Sequence, residues 1–283
     1  MSYEILNEIK KSPLASISGI LTSKSQFKIS YSNTFKNYRH SDLVTYAKEN
    51  DIPFYTLQDS MKESNLQNWK KNINYDLVLV AGWYHMLPKD WVDKEICLGL
   101  HASLLPELRG GAPLVWAMLE GRMKTGVSLF QMNSLVDAGP VWIQEDFPIN
   151  DSDYISDLID KTSLVSIKII KNLLENFNTI IPKIIEIDES KHIIYPQRSP
   201  SDGELTDFSD YKIALRAIRA QSKPYPGAFI VQNSLKIHLW RANYLESKPV
   251  HVGKHRFESF SNYGFLHLDN GTLKVTEFDF EKL

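Results

Sequence analysis

Cysteine is almost absent: Cys97 is the only one in 283 residues. No disulfide can form within the chain, which fits a reducing compartment, and the expected location is the cytoplasm. Cys97 lies in the apolar run Ile96-Cys97-Leu98, so it reads as a buried structural thiol and not as a nucleophile. Long apolar runs are lacking too, and none approaches the ~20 residues of a membrane span. The opening Met1-Ser2-Tyr3-Glu4-Ile5-Leu6 has no basic stretch followed by an apolar one, so no secretory leader is expected. Charge of one sign is not in excess, with 32 Lys+Arg against 34 Asp+Glu. Nothing global therefore argues for a nucleic-acid or membrane partner. Residues 1–190 carry 19 basic against 24 acidic groups, and residues 191–283 carry 13 against 10. That excess is too small to predict RNA binding and would equally suit a phosphate-bearing ligand. There is no Walker-type loop and no glycine-rich dinucleotide fingerprint after a strand. Internal repeats and low-complexity runs are missing as well. His85, the nearest other histidine to His101, has no ligand spacing with it, so no metal is expected.

What is present is ordinary globular material, 43% apolar and 23% charged. The length allows one large domain or two modest ones with a real core. Ile5, Leu6 and Ile9 have helical spacing and lead to Lys10-Lys11-Ser12-Pro13, a plausible helix end. Leu14–Leu21 and Ile52–Leu57 read as strands, with a helix between them that Ser41 can cap. Asp76–Gly82 is apolar with little alternation, the pattern of a strand buried on both faces. Ile96–His101, Val127–Met132 and Val141–Phe147 are further strands, and Ala112–Glu120 is a helix that Gly121 can end. A long helix follows Asn150, with Ile155, Leu158, Ile159, Leu164, Ile167, Ile170 and Leu174 as its apolar stripe. Strands alternating with helices predict an α/β fold with a mostly parallel sheet. From Tyr195 the texture changes. Pro196, Pro200, Gly203, Pro224, Pro226 and Gly227 break the chain, and short alternating segments follow. Asp269-Asn270-Gly271 is a hairpin signal. A small β-rich domain is expected there.

One constellation carries chemistry. His101-Ala102-Ser103-Leu104-Leu105-Pro106 closes an apolar strand, Arg109-Gly110-Gly111-Ala112-Pro113 follows, and Asp137-Ala138-Gly139-Pro140 forms a later loop. In parallel α/β sheets ligands sit beyond the carboxyl ends of the strands. A histidine and a carboxylate on two loops there can do proton-transfer work. Each residue alone has a plainer reading. A lone histidine is as often structural, Ser103 caps a turn, Arg109-Gly110-Gly111 is a solvent turn as readily as an anion site, and Asp137 is a turn carboxylate. Residue reasoning ends at an α/β enzyme with a His/Asp acid–base site.

These segments, with Trp116-Ala117, Gly121 and Thr125-Gly126-Val127-Ser128, resemble the signature of the 10-formyltetrahydrofolate-dependent formyltransferases. That family includes methionyl-tRNA formyltransferase, glycinamide ribonucleotide formyltransferase and N-formyltransferases of nucleotide-linked amino sugars. Arg198-Ser199-Pro200, Asp202-Gly203 and Lys223–Phe229 resemble the linker and second domain of the tRNA and sugar branches. The resemblance implies a Rossmann-like catalytic domain over 1–190 and a small OB-like domain over 191–283. It implies formyl transfer from 10-formyltetrahydrofolate to a primary amine, with His101 and Asp137 catalytic. The tetrahydropterin would be held around Trp83, Tyr84, Met86, Leu87, Ser103, Leu104, Gly110, Gly111, Pro113 and Gly139. Arg109 would meet the acceptor substrate. No metal or nicotinamide is implied.

Two positions depart from the family pattern. Gly99 stands where the family has an asparagine that donates to the developing oxyanion. Losing such a donor can cost on the order of 10²–10³ in rate, so a backbone N–H, a water or another side chain would have to substitute. The family also opens with a strand before its first helix, and this sequence starts in what looks like that helix. Without that strand, neighbouring backbone groups would be unpaired and apolar surface exposed. The sequence favours the amino-sugar branch, on its short second part, its near-neutral charge and the Tyr31–Asp42 insert with Pro224–Phe229. Initiator methionyl-tRNA is the alternative acceptor. A formyltetrahydrofolate hydrolase and a folate-binding relic without turnover are minor alternatives. Homodimers are common among the sugar enzymes, and no membrane partner is expected.

Overall fold

A computed structural model describes residues 1–29, 32–58, 60–188, 190–245 and 256–283. The start of the Tyr31–Asp42 insert lies outside the described residues. In chain order the elements are α1 (Ser2–Lys11), β1 (Ile20–Ser23), β2 (Gln26–Ile29), β3 (Ser32–Lys36), α2 (Leu43–Glu49), β4 (Phe54–Leu57), α3 (Ser64–Lys71), β5 (Leu77–Ala81), α4 (Lys89–Lys94) and β6 (Ile96–His101). They continue with β7 (Arg109–Gly110), α5 (Pro113–Leu119), β8 (Lys124–Gln131), β9 (Val141–Pro148), α6 (Ile155–Asn176) and β10 (Ile194–Tyr195). The last are α7 (Tyr211–Gln221), β11 (Ala228–Gln232), β12 (Leu235–Leu245), β13 (Phe257–Ser259), β14 (Gly264–Leu268) and β15 (Gly271–Lys282).

The chain divides into two compact units. The first comprises residues 1–109, 126–146 and 161–194, and the second 110–125, 147–160 and 195–283.

The first unit is α/β. β5 and β6 run parallel, β8 joins β6 antiparallel, and β9 completes a four-stranded sheet in the order β5-β6-β8-β9. β1 and β4 form a separate parallel pair. Leu21 and Leu57 of that pair share one core with Val78 of β5 and Cys97 of β6, around Met61, Leu66 and Trp91. Burial pushes the Cys97 thiol up to about 11, with the nearby charge of Glu95 adding to the effect. The thiolate is therefore scarce near neutral pH and the residue packs as a small hydrophobe. α1 ends before Ser12-Pro13, and its Tyr3 and Leu6 pack on Ile20, Tyr46 and Ala47.

Three expectations need correction. Leu14–Leu21 is not one strand: Leu14 is exposed in the turn after Pro13, and pairing starts only at Ile20, whose N–H bonds to Pro53. The α6 stripe does not include Leu164, which is 69% exposed. Helical period instead buries Ile155, Leu158, Ile159, Thr162, Ser166, Ile169, Ile170 and Leu173, placing two hydroxyls in the stripe. β5 is not buried on both faces but half-buried at every position. It pairs with β6 on one side, and among the described residues no strand pairs with its other edge.

The second unit holds an antiparallel sheet in the order β11-β12-β15-β14-β13. Asp269-Asn270 turns β14 into β15, with Leu268 opposite Gly271. α7 packs on the sheet through Ala214, Ala217 and Ile218, against Ile230, Leu239, Leu266 and Val275. Each such buried Leu or Ile side chain contributes roughly 1.5–3 kcal/mol. The strand pattern of this region hides α7. Its signal is Asp210, whose carboxylate caps the Lys212 N–H, followed by apolar residues at helical spacing.

The open edge of β5 makes a measurable prediction. Amides of a parallel strand point alternately to its two sides. By hydrogen exchange, those of Leu77–Ala81 facing β6 will be protected and the alternate ones will exchange faster by orders of magnitude. Uniform protection along β5 would show that its outer edge is covered.

Candidate active site

The site grows from the carboxyl end of β6. His101 is the last residue of that strand and stands opposite Ser128 of β8. The chain then turns through a hydrogen-bond network centred on the buried Ser128. The Ser128 hydroxyl donates to the Ser103 carbonyl at 2.7 Å and accepts from the Leu105 N–H at 3.1 Å. The Gln144 amide on β9 donates to the Ser128 hydroxyl at 2.8 Å and to the Leu105 carbonyl at 3.1 Å. The Ser103 hydroxyl, wholly buried, donates to the Glu107 carbonyl at 2.6 Å. Ser103 thus holds the loop shut from within. Gln144 escapes sequence reasoning because a glutamine in a strand resembles any solvent-facing residue.

The return loop between β8 and β9 brings the acid. Gln131 at the end of β8 donates to the Pro140 carbonyl at 2.8 Å. A Cβ on Gly139 would lie 1.7 Å from the Gln131 carbonyl oxygen, so only glycine permits this closure. Asp137 sits in the loop with φ +46, a left-handed conformation uncommon for a residue other than glycine. Its Oδ2 lies 3.5 Å from Nδ1 of His101. Nε2 of His101 donates to the Leu108 carbonyl at 2.9 Å. The imidazole therefore lies between a backbone carbonyl and a carboxylate, nine-tenths removed from solvent. An imidazole beside a carboxylate is a pair of groups able to take part in proton transfer.

Gly99, on the same face of β6 as His101, is close-packed. A Cβ there would meet the Phe130 ring at 3.0 Å and the Met132 side chain at 3.1 Å. Arg109 is 1% exposed, with Nε donating to the Val136 carbonyl at 2.9 Å and Nη1 to the His192 carbonyl at 3.3 Å. The residue expected at the substrate is held inside the first unit. The δ-methyl of Leu104 packs against Gly126.

The aromatic loop after β5 divides in two. Trp83 and Leu87 pack on the Cys97 core, while Tyr84 and Met86 are 41% and 67% exposed. His85 lies between Trp83 and Phe27, at ring separations of 5.2 and 4.9 Å. Burial lowers its pKa, and its Nε2 is buried without a hydrogen-bond partner. Phe27 belongs to the β2–β3 hairpin. Sequence reasoning missed that hairpin, because Gln26–Lys36 lacks a hairpin dipeptide such as Asn-Gly to mark its turn. Gly110, Gly111 and Pro113 belong to the second unit. There Gly111 donates to the Tyr195 carbonyl at 2.8 Å, and Pro113 opens α5. Among the described residues no group of three His, Cys, Asp or Glu could hold a metal ion. No described helix is long and apolar enough to cross a membrane.

An α/β sheet with a His–Asp pair beyond a strand end is the arrangement of an acid–base enzyme domain. The family described as formyl transferase matches residues 4–173. The chain belongs to that family, whose members transfer formyl groups. The methionyl-tRNA formyltransferase of Thermodesulfovibrio yellowstonii is 28% identical over 216 residues, 75% of this chain and 68% of that one. That of Bacillus subtilis is 32% identical over 169 residues, 58% and 52% of the two chains. The chain thus spans about half to two thirds of these relatives' length. Among solved structures, methionyl-tRNA formyltransferase from Clostridium thermocellum matches with a TM-score of 0.64 at 18% identity, over 95% of this chain and all of that one. HypX from Aquifex aeolicus in complex with tetrahydrofolic acid matches at 0.66 and 20% identity, over 93% of this chain and 44% of that one. An N-formyltransferase from Helicobacter canadensis, in complex with folinic acid and dTDP-3-aminofucose, matches at 0.62 and 16% identity, over 93% and 100% of the two chains. These likenesses show the formyltransferase fold.

Two predictions follow from this packing. Gly99→Asn will lower unfolding stability by about 1–3 kcal/mol, because Phe130 and Met132 must give way. Urea titration measures it, and an unchanged midpoint would show that the space is open. His85 has a folded pKa below its ordinary 6.5. Its contribution to stability is complete above that value and is lost as pH falls through the folded pKa. His85→Phe will therefore flatten the acid-side loss of thermal stability, and an unaltered pH profile would contradict the burial argument.

Proposed function

We propose that this chain transfers a formyl group from 10-formyltetrahydrofolate to the primary amine of a nucleotide-linked amino sugar, acting in the cytoplasm. The observation that carries formyl transfer is the His101–Asp137 pair, 3.5 Å apart at the end of β6 in a formyl transferase domain. The acceptor amine attacks the formyl carbon and a tetrahedral oxyanion forms. The C–N10 bond then breaks, leaving a formamide on the acceptor. The proton lost by the amine passes through the His101 imidazole to N10 of the departing tetrahydrofolate, while Asp137 orients the ring and stabilises its charged form.

The tetrahydropterin is assigned to the loop of Trp83, Tyr84, Met86 and Leu87 in the first unit, with Ser103, Leu104 and Gly139 of the same unit. Exposed Tyr84 and Met86 supply apolar contact area, and backbone amides supply hydrogen bonds to the ring. A side chain at Gly99 would need Phe130 and Met132 to give by a few tenths of an ångström, and glycine itself offers no side-chain donor. The oxyanion contact is accordingly given to His101 or to a backbone N–H.

The near-balance of charge supports the sugar acceptor over a polyanion. The N-formyltransferase from Helicobacter canadensis that shares the fold is seen with dTDP-3-aminofucose. A second reading, initiator methionyl-tRNA as acceptor, is favoured by the methionyl-tRNA formyltransferases among the relatives.

Tetrahydrofolate release from 10-formyltetrahydrofolate decides between them, with nucleotide-linked amino sugars and charged initiator tRNA as acceptors. Release with a sugar alone is the expected result, and His101→Ala will lower it by about 10²–10⁴-fold. Release with the tRNA alone would overturn the acceptor assignment. Release without any acceptor would make the protein a hydrolase. Turnover that survives His101→Ala would overturn the chemistry.

A further inference from the structure

The structure assigns to Arg109 a positioning role: its buried guanidinium holds the Asp137 loop against the His101 imidazole. The inference rests on the reading of His101 and Asp137 as the reacting pair.

The geometry forms a closed ring of contacts. From His101, Nε2 donates to the carbonyl of Leu108, the residue just before Arg109. Arg109 Nε donates to the carbonyl of Val136, the residue just before Asp137. The Asp137 carboxylate returns to Nδ1 of His101 at 3.5 Å. Arg109 therefore joins the two backbone segments that face the two ring nitrogens. Both segments are poorly suited to hold themselves. Leu108 and Asp137 have φ values of +56 and +46, which L side chains rarely adopt without support from their surroundings. Nη1 adds a third anchor at the carbonyl of His192, so the chain after residue 190 is tied to the same guanidinium.

Arginine suits this task for a physical reason. Its planar group presents five donors in a fixed fork, so one side chain can meet carbonyls lying in different directions. A lysine ammonium in the same space is a compact point and cannot hold both carbonyls at those separations. At 1% exposure the side chain is out of reach of an acceptor substrate, so its effect on the reaction runs through the loop.

The test compares Arg109→Lys and Arg109→Met with the unaltered protein. Near-ultraviolet circular dichroism establishes that each variant is folded. Arg109→Lys will lower kcat by about 10- to 100-fold while KM for the formyl donor stays within about twofold, the signature of a displaced reacting group. Arg109→Met will lose more, because it removes the donor from both half-buried carbonyls. In an Asp137→Asn background, Arg109→Lys will cost nothing further, since the group it positions is already disabled. Equal losses in both backgrounds, or an unchanged kcat in a folded Arg109→Lys protein, would overturn the role. A second readout does not depend on turnover. The His101 ring resonances in the NMR spectrum will move in Arg109→Lys, because both of its neighbours shift. Identical resonances would also overturn the assignment. Should the unaltered protein show no formyl transfer, the functional reading fails, and the ring resonances still decide whether Arg109 holds the loop.

Discussion

The antiparallel pairing of β6 with β8 is the constraint from which the site follows. It places Ser128 opposite His101 and so fixes where the strand ends and the loop begins. Ser128 then governs the path of the next three residues by hydrogen bonds to Ser103 and Leu105. The far end of β8 does the same for the acid. Gln131 binds Pro140, and Gly139 alone lets the backbone come that close. One strand therefore anchors both loops, and the imidazole and the carboxylate meet because their supports share a ladder. The hydrogen bonds involved are mostly buried, where a missing partner costs more than a formed bond gains. Such a network tolerates few substitutions and keeps the pair in one geometry.

Much of this was legible in the residues. Ile96–His101 runs as a strand over the same bounds the apolar pattern indicates, and Gly121 ends α5 with φ +67 as a left-handed cap should. The Asp269-Asn270 turn is equally local. The His/Asp pair was legible from the residues as an acid–base site, although each residue alone has a plainer reading, and the family resemblance added the reaction. What stayed hidden depends on distant partners. Arg109 looks like a solvent or anion-binding residue beside two glycines, and its burial follows from carbonyls contributed by residues 136 and 192. Gln144 is hidden for the same reason. Leu164 misled because a leucine near the right spacing is not thereby on the buried face.

Gly99 shows how a single position changes meaning between sequence and structure. In the sequence it is a lost donor. In the fold, a Cβ there would lie 3.0 Å from the Phe130 ring and 3.1 Å from the Met132 side chain, so the glycine sits in close packing. The developing negative charge must then be met by groups that are already fixed. In the proposed reaction the imidazole, held by a carbonyl on one side with a carboxylate on the other, is the group assigned to meet it.

The central claim is that His101 and Asp137 act as one unit. A double-mutant cycle on tetrahydrofolate formation tests it, using the unaltered protein, His101→Ala, Asp137→Ala and the double variant, each shown to be folded. A shared role predicts that the double variant is no slower than the slower single variant. Losses that simply multiply would contradict it, and would mean that the two residues contribute separately.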